Sequence, residues 1–239
     1  MLDAVSVEPL VEPGELVEAA ALAAAVWDVP VSETPMPPDL LRALAVTGNH
    51  VAGARLDGEL VGLAAGFWGA HHGIPVLHSH VACVRPGLEG RGIGARLKHQ
   101  QRAFVSAHGV GHITWTFDPL VRRNAHFNLD VLGAVACEYH ESFYGVMLDG
   151  LNAGDESDRC MVVWDLARLD SPVPERTGSD DERRVWIPDD IVNLRRTDPD
   201  AARQWRLELR AALQPAFADG FHAVSMSRDG WYTLRRARP

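Results

Sequence analysis

Residues 80–97 read HVACVRPGLEGRGIGARL. An apolar run over 81–84 breaks at Arg85-Pro86-Gly87, a glycine-rich turn follows at Gly90, Arg91, Gly92, Ile93 and Gly94, and a helical pattern opens directly behind it. Strand, glycine turn and helix N-terminus in that order bring backbone N–H groups and the positive end of a helix dipole to one place. That combination suits a phosphate-bearing ligand. A local basic patch (Arg85, Arg91, Arg96, Lys98) adds charge of the right sign.

The turn admits more than one phosphate ligand. Gly90-x-Gly92-x-x-Ala95 fits a dinucleotide-binding turn, and Asp118 ends a later apolar run. That turn, however, places its first glycine immediately after the first strand of a βαβ unit. Here residues 85–89 intervene, and two helical patterns and a hairpin come first. A P-loop is excluded, because no Gly-Lys-Ser/Thr follows the glycines.

Upstream, the pattern predicts a strand over 4–10 and an alanine-rich helix over 14–27 with Leu16, Ala20, Ala23 and Trp27 on one face. A proline-broken loop and a short helix over 39–46 follow. Residues 50–56 and 59–68 flank Asp57-Gly58 and read as a hairpin. A strand over 76–84 leads into the glycine turn. Downstream, a helix is expected over 91–108 with Ile93, Leu97 and Phe104 inward and Arg96, His99, Gln100 and Arg102 outward. A strand over 112–117, a helix over 122–132 ended by Gly133, and strands over 134–144 and 161–166 come next. Residues 168–184, rich in proline, serine and charge, read as a linker. The tail 185–239 then offers a strand at 185–187, a helix over 200–217 with Trp205, Leu209, Ala212 and Ala216 on one face, and a hairpin around 228–230. The expected organisation is one domain over 1–167, the linker, and a C-terminal strand-helix-hairpin extension packed on that domain.

Composition narrows the partners. The 239 residues are 46% hydrophobic and 23% charged, enough for a large core. A net charge of −9 argues against nucleic acid or an anionic membrane surface. No signal peptide or membrane-spanning run is expected. Three scattered cysteines with no C-x-x-C pair point to a reducing, cytoplasmic setting.

The order of elements over residues 4–167 resembles the GNAT acyltransferase superfamily, a mixed α/β fold. The GNAT signature Arg/Gln-x-x-Gly-x-Gly/Ala is met at Gly92 and Gly94, behind Val84-Arg85-Pro86. The resemblance implies acyl-CoA (acetyl-CoA or succinyl-CoA) as cosubstrate and no metal. It implies that the coenzyme A pyrophosphate meets the backbone of Gly90, Arg91, Gly92, Ile93, Gly94 and Ala95, and the thioester and pantetheine that of Ala82, Cys83 and Val84 on a splayed fourth strand. Glu89 stands where the superfamily has Arg or Gln. The segments LHSHVACV (77–84), ITWTFDPLVRRNAHFNLDVLGAVA (113–136), FYG (143–145), DGLN (149–152), SDR (157–159) and the tail IPDDIVNL (187–194) with DPDAARQWRLELR (198–210) resemble a narrower bacterial branch with a C-terminal extension. That branch implies N-acylation of amino acids, including succinyl transfer.

Amine acylation needs a polarised thioester, a deprotonated amine, a protonated leaving thiolate and aligned reactants. His78 and His80 lie two apart on a strand, so they share a face, and either could take the ammonium proton; lining the sheet as hydrogen-bonded residues is the competing reading. His71 and His72 with this pair invite a zinc reading, which no H-E-x-x-H or cysteine partner supports. The tyrosine that GNAT proteins use as acid falls at Leu129. Asn128 beside it can donate a hydrogen bond but no proton, which leaves Tyr139 and Tyr144 as substitutes, or as core and rim aromatics. Asn124 could bond pantetheine. Asn152 and Arg159 flank a polar loop, and Arg159 could clamp a substrate carboxylate or be solvated. The reading is an acyl-CoA-dependent N-acyltransferase for a small-molecule amine; a non-catalytic acyl-CoA-binding module is the alternative. The tail could complete the cleft, cap the sheet or pair a homodimer.

Overall fold

The computed structural model describes residues 5–147, 155–167 and 182–236. The chain is a mixed α/β protein that divides into two compact units, 1–114 and 115–239. The division falls inside a strand, and residues 185–239 belong to the same unit as 115–167.

In the first unit β1 (Val5–Pro9), β2 (His50–Leu56), β3 (Glu59–His71) and β4 (Ile74–Val84) form consecutive antiparallel pairs. The start of β5 (His112–Phe117) adds in parallel to β4. Asp57 and Gly58 both have positive φ (51° and 84°), the backbone that a two-residue hairpin needs between twisted strands. One sheet face carries α1 (Pro13–Trp27) and α2 (Pro38–Val46). Leu16, Ala19, Ala20, Ala23 and Leu41 pack there on Val51, Leu63, Ala65, Val81 and Cys83. The alanine stripe is what lets α1 lie close to the sheet, and Pro13 and the Glu15 carboxylate, which accepts from Glu12 N at 3.2 Å, start the helix. The other face holds α3 (Ile93–Ala107), whose Ile93 and Leu97 join Val5, Ala54, Val61 and Ala64.

In the second unit β7 (Arg159–Asp165), β6 (Val135–His140), β9 (Phe221–Met226), β10 (Trp231–Arg236) and β8 (Glu182–Trp186) lie in that order. β6 stops at His140 rather than running to 144, because residues 141–144 turn. The strand expected at 185–187 starts at Glu182. The helix expected over 122–132 is a short α4 (Arg122–His126) continued by a wide π turn over Phe127–Val131. The tail adds a helix the periodicity did not reveal, α5 (Ile191–Thr197), before α6 (Pro199–Ala218). Asp190 and Asp198 cap the two by accepting from Asn193 N (2.9 Å) and Ala201 N (3.0 Å). The buried face of α6 is Ala202, Arg206, Leu209, Leu213 and Ala216, one position round from the expected stripe.

Candidate functional site

The first unit is irregular in one place. Ala65 pairs with Val81 but Gly66 pairs with Ser79, so His80 is an extra residue on β4. A bulge of this kind bends its strand and raises the local twist. Gly66 is required opposite it: a Cβ there would stand 2.6 Å from the His78 carbonyl oxygen. β4 pairs with β5 only at Leu77↔Ile113 and His78↔Thr114. From Ser79 to Val84 it keeps only its β3 partner among the described residues. Backbone groups on that side want hydrogen bonds, and an extended ligand can supply them. Ala82 is exposed there, Val84 half-buried and Cys83 buried. Burial pushes the Cys83 thiol up to about 12, so its sulfur is packing rather than nucleophile.

Beyond the strand, Arg85 N is fixed to Val61 O at 2.8 Å, and Gly87, Gly90 and Gly92 all take positive φ. Gly92 caps α3, and Arg96 is the first residue whose N–H reaches back, to Gly92 O at 3.1 Å. The N–H groups of Ile93, Gly94 and Ala95 therefore have no carbonyl partner within α3. The expected phosphate donors, Gly90 to Ala95, are contiguous at this helix start. Glu89 turns back on its own loop, where its Oε2 accepts from Gly87 N at 2.7 Å.

His78 and His80 do share a face, with ring centroids 6.3 Å apart around Phe67 (5.3 and 5.9 Å). Burial, with help from His80, Lys98 and His71, lowers His78 to about 4; burial also lowers His80. Both are thus neutral near pH 7. His78 Nδ1 lies 3.3 Å from Thr114 Oγ1.

A polar chain that the sequence pattern missed runs behind the bulge. Lys98 and Gln101 are buried on α3. Lys98 Nζ donates to Ser79 Oγ (2.8 Å) and to Gln101 Oε1 (3.1 Å). Gln101 Nε2 meets His50 Nδ1 at 3.2 Å, and His50 Nε2 meets Gln100 Oε1 at 2.6 Å. Burial lowers Lys98 to about 7 and His50 to about 4. A neutral His50 with its proton on Nε2 satisfies both of these contacts.

The other expected residues lie in the second unit. Asn124 is exposed on α4. Asn128 is buried on the π turn, where its Oδ1 accepts from Trp115 Nε1 at 3.2 Å, and Leu129 beside it is buried. Tyr139 donates to Asp158 Oδ2 at 2.6 Å; burial and that carboxylate push the phenol upward. Tyr144 is 43% exposed, with its hydroxyl 3.2 Å from Thr116 Oγ1 and the Arg159 guanidinium 5.6 Å over its ring. Arg159 is buried; its Nη1 donates to Asp158 O (2.9 Å) and lies 3.8 Å from Asp118 Oδ2. Asn152 lies outside the described residues. Around Arg159 the tail contributes three more arginines. Arg195 bonds Asp118 and, at 3.0 Å, Asp155; Arg206 chelates Asp155; Arg210 chelates Asp158 at 2.9 and 2.8 Å. Burial works against the Asp155 charge, but Arg206 and Arg195 prevail and hold it below the usual carboxylate range.

Among solved structures, the chain is similar to a GNAT-family acetyltransferase from Streptococcus pneumoniae (12% identity, TM-score 0.54, 66% of this chain and 97% of that one). It is also similar to an aminoglycoside 6'-acetyltransferase type Ii (14%, 0.52, 72% and 99%). A third is Arabidopsis thaliana Naa50 bound to a bisubstrate analogue, CoA-Ac-MVNAL (16%, 0.51, 67% and 97%). These likenesses establish a GNAT-like fold. No protein-family model and no curated protein matches the sequence. Among the described residues, no helix is long and apolar enough to cross a membrane.

Proposed function

We propose that this protein is an acyl-CoA-dependent N-acyltransferase that passes an acetyl or succinyl group directly to the amine of a small molecule, an amino acid in the reading that the narrower resemblance implies. The observation that carries it is β4: a bulge at His80, loss of the β5 partner after His78, and a glycine turn leading from Val84 to the start of α3. Pantetheine extends along Ala82, Cys83 and Val84, and the pyrophosphate meets Gly90 to Ala95. A structural neighbour binds a coenzyme A bisubstrate analogue.

In the reaction the amine nitrogen attacks the thioester carbonyl carbon, and the tetrahedral intermediate collapses with loss of the coenzyme A thiolate. His80 takes the ammonium proton, directly or through water; His78, lowered to about 4, is the weaker base. For the acid that protonates the thiolate the sequence leaves Tyr144, which is 43% exposed, and a phenol and a thiol are close in acidity. Tyr139 is held by Asp158. Arg159 is the clamp for a substrate carboxylate. The test is thiol release from acetyl- and succinyl-CoA against a panel of amines, beside calorimetry with coenzyme A. Turnover with one donor and one amine class is expected. Binding without turnover would favour a non-catalytic acyl-CoA-binding module, a reading that buried Leu129 at the usual acid position supports. Absence of binding would overturn both.

A further inference from the structure

Lys98 is nearly inaccessible, at 2% exposure, and its ammonium donates to the Ser79 hydroxyl and to the Gln101 amide oxygen. Taking an ammonium out of water costs free energy that a methionine of similar length would not. What the lysine reaches explains its place. Ser79 is the last β4 residue in register before the bulge, paired with Gly66, and the next registered pair is Ala65↔Val81. The bulge side chain, His80, lies against Phe67 and His78. Val81 and Cys83 then continue into the core with α1 and α2. The bulge is thus tied to α3 at Ser79. The rest of the chain (Gln101, His50, Gln100) fixes the Lys98 head from β2 and from α3 itself.

We propose that Lys98 is a positioning residue: by donating to Ser79 Oγ it locks the one-residue slip in β4, and so sets the backbone of Ala82 to Val84 and the ring of His80 for an acyl-CoA ligand. This rests on the acyl-CoA reading of the same strand. An extra residue in a strand has no partner to fix it, and slipping it along the strand would turn every following side chain to the other face. A buried donor clamped to the residue before the slip prevents that. Burial lowers Lys98 to about 7, in keeping with a desolvated amine kept for its geometry.

The test compares wild type, Lys98→Met, Ser79→Ala and the double variant in two readouts. The first is strand register in the free protein, from NMR contacts across Gly66/Ser79 and Ala65/Val81. The second is the dissociation constant for acetyl-CoA, together with KM and kcat for the thiol-release reaction. Both single variants are expected to remain folded, to lose or blur the slip, and to weaken acetyl-CoA binding by about tenfold or more, with KM for acetyl-CoA raised more than kcat is lowered. The double variant is expected to be no worse than Lys98→Met, because the two residues act as one contact. If Lys98→Met fails to fold, Ser79→Ala decides alone. Unchanged register in the folded variants overturns the inference whatever the ligand. Altered register with unchanged acetyl-CoA affinity overturns the link to the site. A wild type that binds no coenzyme A overturns the acyl-CoA reading and that link, and the register result then decides the anchoring separately.

Discussion

Tyr139 donates a hydrogen bond from its hydroxyl to Asp158 at 2.6 Å, and Arg210 closes on the same carboxylate with two nitrogens. A phenol locked this way is a strut between β6 and the loop before β7. Tyr139→Phe is expected to leave acyl transfer within about threefold of wild type and to cost about 1.5–3 kcal/mol of stability, the range for a hydrogen bond to a charged group. Tyr144→Phe should instead lower kcat by about a hundredfold, as loss of a general acid does. Measured kcat and denaturation midpoints separate the two; the reverse pattern would exchange their roles.

Among the described residues, Asp155 is the acceptor for the Arg206 side chain, whose buried Nη1 makes no hydrogen bond there. Asp155→Ala is expected to destabilise the second unit by about 3–5 kcal/mol, because it strands a buried guanidinium. Urea unfolding measures it. Adding Arg206→Met should recover much of the loss, and failure to recover would show that the cost lies elsewhere.

Gly92 has φ 78° and open space where a Cβ would go. Gly92→Asp therefore strains the backbone by about 1–2 kcal/mol without a clash. Its carboxylate would take the N–H groups of the first turn of α3, as an N-cap aspartate does. Weaker coenzyme A binding by about tenfold is expected in calorimetry; undiminished affinity would move the phosphate site elsewhere.

His50 is buried and lowered from 6.5 to about 4. Between those values the unfolded chain binds the proton that the folded one refuses. Its contribution is therefore fully present above pH 6.5 and is lost as pH falls toward 4, by up to about 3 kcal/mol. Denaturation midpoints across that window should drop, with a shallower slope for His50→Gln. Equal slopes would remove His50 from the account.

Where the chain reports on itself locally, the sequence was a sound guide. Asp57-Gly58, the alanine stripe of α1 and the glycine turn each act through neighbours a few residues away. The shared face of His78 and His80 was also legible, from alternation alone. What stayed hidden depends on distant partners. Lys98 and Gln101 are polar residues on a helix, and the contacts that accompany their burial come from Ser79, 19 residues off, and His50, 51 residues off. Arg206 misled the reading of α6 for the same reason: its acceptor lies 51 residues upstream. The slip at His80 is one residue in a strand, and no side-chain pattern announces it.

The arginine-carboxylate lattice also has a consequence for synthesis. The carboxylates at 118, 155 and 158 leave the ribosome well before Arg195, Arg206 and Arg210, which neutralise them. The first unit ends at Thr114, and during synthesis the N-terminal unit of a chain generally folds first. The second must wait for its last helices. A nascent chain stopped before α6 would still hold Arg195 against Asp118 and Asp155, but it would lack Arg206 and Arg210, so Asp155 would lose one of its two guanidinium partners and Asp158 the one that chelates it.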